Sequence, residues 1–345
     1  MVLRKGDSGE KVKELQKLLG SEITGKFDIQ TDQSVKKFQS DYFLTVDGIV
    51  GPQTASVLSL GLKFNRTYML TGPNENKGCT GNYFAQNTTK KTLVYHHTAG
   101  WTVNKDGSDN KNFFYGWENN IGSRIATHFS IGVSGMIYLH FPLQYWAHHL
   151  GIRNPQNTRM NQESISVELG NEGKIWKEGS RWRFWAGSLK REVQPIQKVW
   201  RGGEYWVNYT QEQFEALKKL TMYCHFVFKI PINYPDTHLQ IKDNLFNPNF
   251  SGIYSHGNVR DDKVDVSPAF HWNQYFTELN SDLKKFKHFL EVETKKPQPS
   301  LSTMSQRSST MTVKDALEAM KNMTPQEIEN FTQGDTRKTV LKNKS

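Results

Sequence analysis

A chain of 345 residues can hold one large domain or two smaller ones, each with its own core. With 36% hydrophobic and 23% charged residues its composition is globular, and no stretch approaches the ~18–20 apolar residues of a membrane span. The formal net charge of +10 suits polyanionic surroundings, whether nucleic acid, anionic lipid or a bacterial wall, and does not choose among them.

Residues 1–62 read as a three-helix module. Val12, Leu15 and Leu19 fall at helical spacing, with Gly20 where a helix would stop. Thr31 is the expected cap of a second helix whose inner face carries Val35 and Phe38. Gly51-Pro52 opens a third, with Val57 and Leu58 inside. The segments TGKFDIQT (24–31) and DGIVGPQT (47–54) echo one another, each placing a glycine turn and a threonine together.

Residues 63–90 are rich in Asn, Thr and Gly and read as a linker. From 91 to 290 the pattern turns α/β. Thr92–His97 is a short apolar strand that ends in two histidines. Thr127–Val133 and Met136–Phe141 flank Ser134-Gly135 and predict a hairpin. Ser164–Leu169 alternates, with Ile165, Val167 and Leu169 on one face and Ser164, Ser166 and Glu168 on the other. Between Lys174 and Trp206 stand five of the nine tryptophans and eight Lys or Arg against three Glu. That stretch reads either as core cover for the sheet or as a sugar-stacking, anion-seeking surface. Thr210-x-x-Gln213 is a capping box before a helix striped by Phe214, Leu217, Thr221, Cys224 and Phe228. Residues 291–312 are a linker, with eight Ser or Thr and two Pro at 297–312, and 313–345 a short helical tail of no evident role. Cys79 and Cys224 are too few for a disulfide framework and read as two buried thiols.

The chain has eleven histidines but no HExxH and no paired CxxC, so any metal ligands must come from distant segments. Strand ends and loops are the places to look. LVYHHTAG (93–100) ends a strand in histidines, and SHGNVRDDKVDVSP (255–268) is a polar loop. Together with SISVEL (164–169) and AHHLG (147–151), these segments resemble the zinc amidases that cut N-acetylmuramoyl-L-alanine, a family shared by phage lysozyme-type amidases and peptidoglycan-recognition proteins. Residues 2–60 separately resemble peptidoglycan-binding modules, through Leu3, Gly6, Gly9, Val12, Leu15-Gln16, Gly25-Lys26-Phe27, Thr31, Phe38-Gln39 and Val46-Asp47-Gly48.

The amidase resemblance implies a mixed α/β fold, a central mainly β sheet flanked by helices, preceded by the small helical module. It implies Zn2+ held by His96, His256 and Asp265, with Glu168 as general base and Lys263 at the oxyanion. His96 is preferred to His97 because the family's ligand is the first of the pair. His149 is then expected at the substrate, with His128 and Thr127 beside it, although relatives carry Tyr where Thr127 stands. Ser255 likewise departs from the Gly that many relatives place before the ligand His. Phe27, Asp47 and Gly48 are the marker positions of the wall-binding module. Peptidoglycan is the implied partner, and nucleic acid is not expected, since no helix-turn-helix, zinc-finger or RNP pattern accompanies the charge. The N-terminus MVLRKGDSGEKV lacks the apolar run of a secretory leader, which favours a phage endolysin released by lysis over an exported autolysin.

Overall fold

The structure, a computed structural model, describes residues 2–67, 82–115 and 124–295, with side chains described except at 115 and 288–295. Cys79 and the segment 296–345 lie outside these residues. The chain divides into compact units, one built on residues up to Ser59 and another spanning Leu60–Asp282.

The first unit contains α1 (Glu10–Leu19), α2 (Ile29–Asp41) and α3 (Pro52–Leu60). Leu3, Val12, Leu15, Phe27, Val35, Val50 and Leu58 make its core. Gly20 ends α1 in the left-handed conformation, φ 66°, which costs a glycine nothing. The cap of α2 is Asp28, whose carboxylate accepts from the Thr31 backbone N–H at 2.9 Å. Thr31, the residue expected to cap, instead lies one turn inside, with its hydroxyl 2.9 Å from Gln16 Nε2.

The echo between 24–31 and 47–54 is a structural repeat. Buried Gln16 donates to Thr24, Lys26 and Thr31 and accepts from the Gly25 N–H. Buried Gln39 donates to Asp47, Ile49 and Thr54 and accepts from the Gly48 N–H. Each partner in the second set stands 23 positions after its counterpart in the first. A buried amide that uses both its oxygen and its nitrogen closes each turn against the preceding helix.

The second unit is built on a six-stranded sheet in the order β1-β4-β3-β5-β2-β11. These are β1 (Phe64–Arg66), β2 (Thr92–His97), β3 (Phe129–Ile131), β4 (Ile137–Leu139), β5 (Ser164–Leu169) and β11 (Gly252–Ser255). β3, β5, β2 and β11 run parallel, and β3–β4 is the predicted antiparallel hairpin. β1 pairs with β4, and Phe84 bridges to Trp146. Part of the segment read as linker therefore belongs to this unit. β5 is covered on both faces, with Ser164 and Ser166 fully buried, so its alternation separates two buried faces.

Short helices α4 (Lys111–Tyr115) and α5 (Asn157–Gln162) join the strands. α6 (Gln211–Phe228) starts at the predicted Thr210–Gln213 capping box and buries Leu217, Thr221 and the free thiol of Cys224. α7 runs Trp272–Lys295, so helix occupies the start of the expected 291–312 linker. The Trp-rich stretch is a sheet of its own: β6 (Lys174–Glu178), β7 (Arg181–Phe184), β8 (Gly187–Ser188), β9 (Ile196–Trp200) and β10 (Gly203–Trp206), in the order β8-β7-β6-β10-β9. Its tryptophans divide between the two readings: Trp206 is fully buried, whereas Trp185 is 73% exposed. No helix among the described residues is long and apolar enough to cross a membrane.

Candidate active site

β2 is buried from end to end. Strand alternation sends Val94 and His96 to one face and Leu93, Tyr95 and His97 to the other. Tyr95 meets Thr221 of α6 at 2.6 Å, while Val94 packs with Leu150, Met160 and Tyr254. The adjacent histidines consequently face opposite ways. His97 bonds the Tyr209 hydroxyl at 3.0 Å, and His96 turns toward the loop that follows β11. β11 pairs with β2 at Ser255↔Tyr95, which brings the next residue, His256, out level with His96. β5 pairs His96 with Glu168. Three parallel strands thus deliver His96, His256 and Glu168 at their carboxyl ends, where open α/β sheets place their chemistry.

His96 Nδ1, His256 Nδ1 and Asp265 Oδ2 form a triangle with edges of 3.1, 2.9 and 3.0 Å. Hydrogen bonds behind the rings decide which nitrogens carry protons. His256 Nε2 lies 2.7 Å from the Leu150 carbonyl and must donate to it, leaving Nδ1 as a lone pair. His96 is set by a relay. Ser164 Oγ donates to the Asn161 carbonyl at 3.2 Å and accepts from His149 Nε2 at 2.6 Å. His149 Nδ1 is then an acceptor and takes the His96 Nε2 proton at 3.0 Å. Both imidazoles therefore turn lone pairs toward the Asp265 carboxylate.

Three acceptors so close repel one another unless a cation sits among them. Ligand atoms about 2.0–2.1 Å from a tetrahedral Zn2+ stand about 3.3 Å apart, so both the donor set and its spacing fit zinc. Burial drives the His96 pKa down to about 4. Neutral rings and an ionised carboxylate are the forms that bind metal.

Glu168 is the remaining acid at this edge. Its Oε2 is buried without a hydrogen-bond partner. Burial first, then the Asp265 charge, pushes its pKa well above the carboxylate range, and Lys263 counteracts this. The Lys263 charge also acts on His96, which places it within electrostatic reach of the same edge. An orphaned, proton-seeking carboxylate beside a ligand trio and a cation is a constellation for hydrolysis.

Comparison with known proteins identifies the family. The N-acetylmuramoyl-L-alanine amidase profile matches residues 86–268, and a peptidoglycan binding domain profile matches residues 8–58. The chain belongs to the N-acetylmuramoyl-L-alanine amidase family. A spore cortex-lytic enzyme of Bacillus cereus is 32% identical over 109 residues, covering 30% of this chain and 42% of that protein. The match thus spans less than half the length of the curated relative. Among solved structures, the endolysin amidase LysCS of Clostridium intestinale URNW is similar at 17% identity over 56% of this chain and 86% of that one, with a TM-score of 0.29. PlyL is similar at 14% identity over 63% and 97%, TM-score 0.37. AmiD of E. coli, solved with anhydro-N-acetylmuramic acid-L-Ala-D-gamma-Glu-L-Lys, is similar at 18% identity over 57% and 59%, TM-score 0.33.

Within this amidase-family chain, the residues expected at the substrate have internal partners. His128 is fully buried, with Nδ1 3.0 Å from Ser166 Oγ and Nε2 donating to the Tyr145 carbonyl at 3.0 Å. Thr127 is buried and bonds the Phe129 carbonyl. Both side chains are buried, and both precede β3, whose first residue, Phe129, pairs with Val167, one position before Glu168. His149 keeps a partly exposed ring, but both its nitrogens are spent on His96 and Ser164. In the module, Phe27 is core, and Gly48 and Asp47 shape a turn bonded by Gln39, so none of the three marker positions stands out as a ligand contact. Ser164, Asn161 and the Leu150 carbonyl were invisible as site residues, since their part is to fix protons on the rings of others.

Proposed function

We propose that this protein is a zinc-dependent peptidoglycan amidase that cleaves the bond between the lactyl group of N-acetylmuramic acid and L-alanine of the stem peptide. The observation that carries the reading is the convergence of three lone pairs, from His96, His256 and Asp265, beside the unpartnered Glu168 carboxylate. Zinc held by the trio would polarise the scissile carbonyl and make water a nucleophile near neutral pH. Glu168 takes the proton from the attacking water and returns it to the leaving amine of L-alanine. Lys263 supplies positive charge where the carbonyl oxygen becomes negative. His149 and Ser164 hold His96 in the tautomer that presents Nδ1.

The module at 8–58 would keep the enzyme on its polymer and raise the local substrate concentration. The exposed Trp185, whose indole N–H donates to the Ala99 carbonyl three residues past His96, offers a fixed ring face to a wall sugar. The basic balance of the chain suits an anionic bacterial wall, and the whole arrangement suits a phage endolysin. The test is digestion of purified peptidoglycan with and without chelator. New L-alanine N-termini without new reducing ends, abolished by EDTA and restored by zinc, support the reading. Wall binding with one equivalent of zinc and no release of fragments overturns it in favour of a recognition protein.

A further inference from the structure

The five-stranded sheet reaches the loop after β11 through Arg201. Arg201 and Gly202 form the two-residue turn between β9 and β10, both at positive φ, 42° and 72°. This is the type I′ geometry, which favours Asn, Asp or Gly and costs other L-residues about 1–2 kcal/mol. An arginine in the first position needs a compensating contact. Its guanidinium supplies one: Nη1 donates to the Arg260 carbonyl at 2.7 Å and to the Lys263 carbonyl, and Nη2 donates to the Gly257 carbonyl at 3.0 Å. The Trp200 ring supports the guanidinium, 4.7 Å from its centroid, and is itself fixed by a 2.9 Å bond from its indole N–H to the Leu239 carbonyl.

The three carbonyls span the loop that bears every late site residue. Gly257 follows His256, Lys263 is the oxyanion candidate, and Asp265 stands two residues beyond. Within the loop, the Gly257 N–H bonds the Asp265 carbonyl at 2.7 Å and the Arg260 N–H bonds the His256 carbonyl at 3.1 Å. These bonds tie its ends together. The bulge between them, 258–264, contains no strand and little helix, and Arg201 bridges it from outside. The charges of Asp261, Asp262 and Asp265 favour the charged form of the guanidinium against its burial.

We propose that Arg201 is a positioning residue: a guanidinium clamp from the β9–β10 hairpin that holds the 256–265 loop in its metal-binding shape. The proposal rests on the reading of His96, His256 and Asp265 as a metal site. Five fixed donors on a planar head can serve three carbonyls at once, which a lysine ammonium on a flexible stem cannot match.

Zinc affinity of the full chain, measured by competition with a chromophoric chelator, tests this without recourse to activity. Arg201→Ala is expected to weaken zinc binding about 10–100-fold, the usual effect of removing an outer support of a ligand, and Arg201→Lys to weaken it less. Millimolar guanidinium chloride, but not sodium chloride, should recover affinity in Arg201→Ala. Zinc binding by Arg201→Ala equal to wild type overturns the clamp, and so does a folded Arg201→Ala that guanidinium leaves unrescued. If Arg201→Ala fails to fold, Arg201→Lys decides: affinity equal to wild type counts against the clamp, and a partial loss supports it. Failure of the wild type itself to bind zinc would instead remove the metal reading on which the clamp depends.

Discussion

The N-terminal module and the amidase unit solve their polar problems at different ranges along the chain. Gln16 and Gln39 find every partner within 8 to 15 residues. His96 meets His256 and Asp265 across separations of 160 and 169 residues. The module's order is therefore written locally and twice over, and a fault in one repeat is a fault in stability. The amidase unit's order depends on parallel strand register, and a fault at its carboxyl edge is a fault in chemistry. The difference teaches that the same kind of buried hydrogen bonding builds a fold in one region and selects a tautomer in the other.

The largest test of this contrast removes a ligand. His96→Ala is expected to cut amide hydrolysis by about a thousandfold or more, since electrophilic assistance worth several kcal/mol disappears at 1.4 kcal/mol per decade. Binding to insoluble wall, measured by sedimentation, should be unchanged because the module is intact; lost wall binding would break the separation. Glu168→Gln is the sharper version. It should keep stoichiometric zinc and lower kcat by about 10²–10⁴-fold, the range of general base catalysis, and retention of kcat would remove Glu168 from the mechanism.

The reciprocal experiment strikes the module. Gln39→Ala leaves the Gly48 and Asp47 N–H groups and the Ile49 carbonyl without their buried partner, and is expected to destabilise the module by about 2–4 kcal/mol. Gln16→Ala should do the same, as its repeat equivalent. Scanning calorimetry should show this loss while hydrolysis of a soluble muropeptide stays at the wild-type rate.

Acid should weaken the amidase unit first. Burial holds His140 at about 3 and His238 at about 4, below the ordinary value of 6.5. Both stay neutral in the fold and take up protons on unfolding, so their stabilisation is complete above pH 6.5 and is lost as pH falls toward 4. Each should contribute a slope of about 1.4 kcal/mol per pH unit across that window. Urea unfolding at several pH values measures it, and a flat profile would mean that these rings gain protons while folded. The smallest effect is expected at the five-stranded sheet's exposed indole: Trp185→Ala should raise KM on polymeric wall a few-fold and leave kcat on a short muropeptide unchanged.

Local signals in the sequence reported local structure faithfully. The 23-residue echo, the Gly20 stop, the Pro52 start and the Thr210–Gln213 box all describe interactions closed within one turn or one repeat. Thr31 misled because a threonine near a helix start can bond outward to Gln16 as well as cap, and only packing tells which. His128 and Thr127 came from the family resemblance alone; the fold buries both side chains, and no local signal in the sequence reports how deep the start of a strand lies.

By itself, the sequence determined the helices of the first module, the β2, β3–β4 and β5 runs, the capped start of α6 and the residue types from which a metal site could be made, because periodicity, caps and turn residues act over a few positions. Tertiary structure alone decided, on geometric grounds, that His96 and His97 face opposite ways, that His149 bonds His96 and Ser164, and that Arg201, in the β9–β10 turn, bonds three carbonyls of the 256–265 loop. Those outcomes depend on which strands lie side by side and in what register, and no spacing along the chain encodes that.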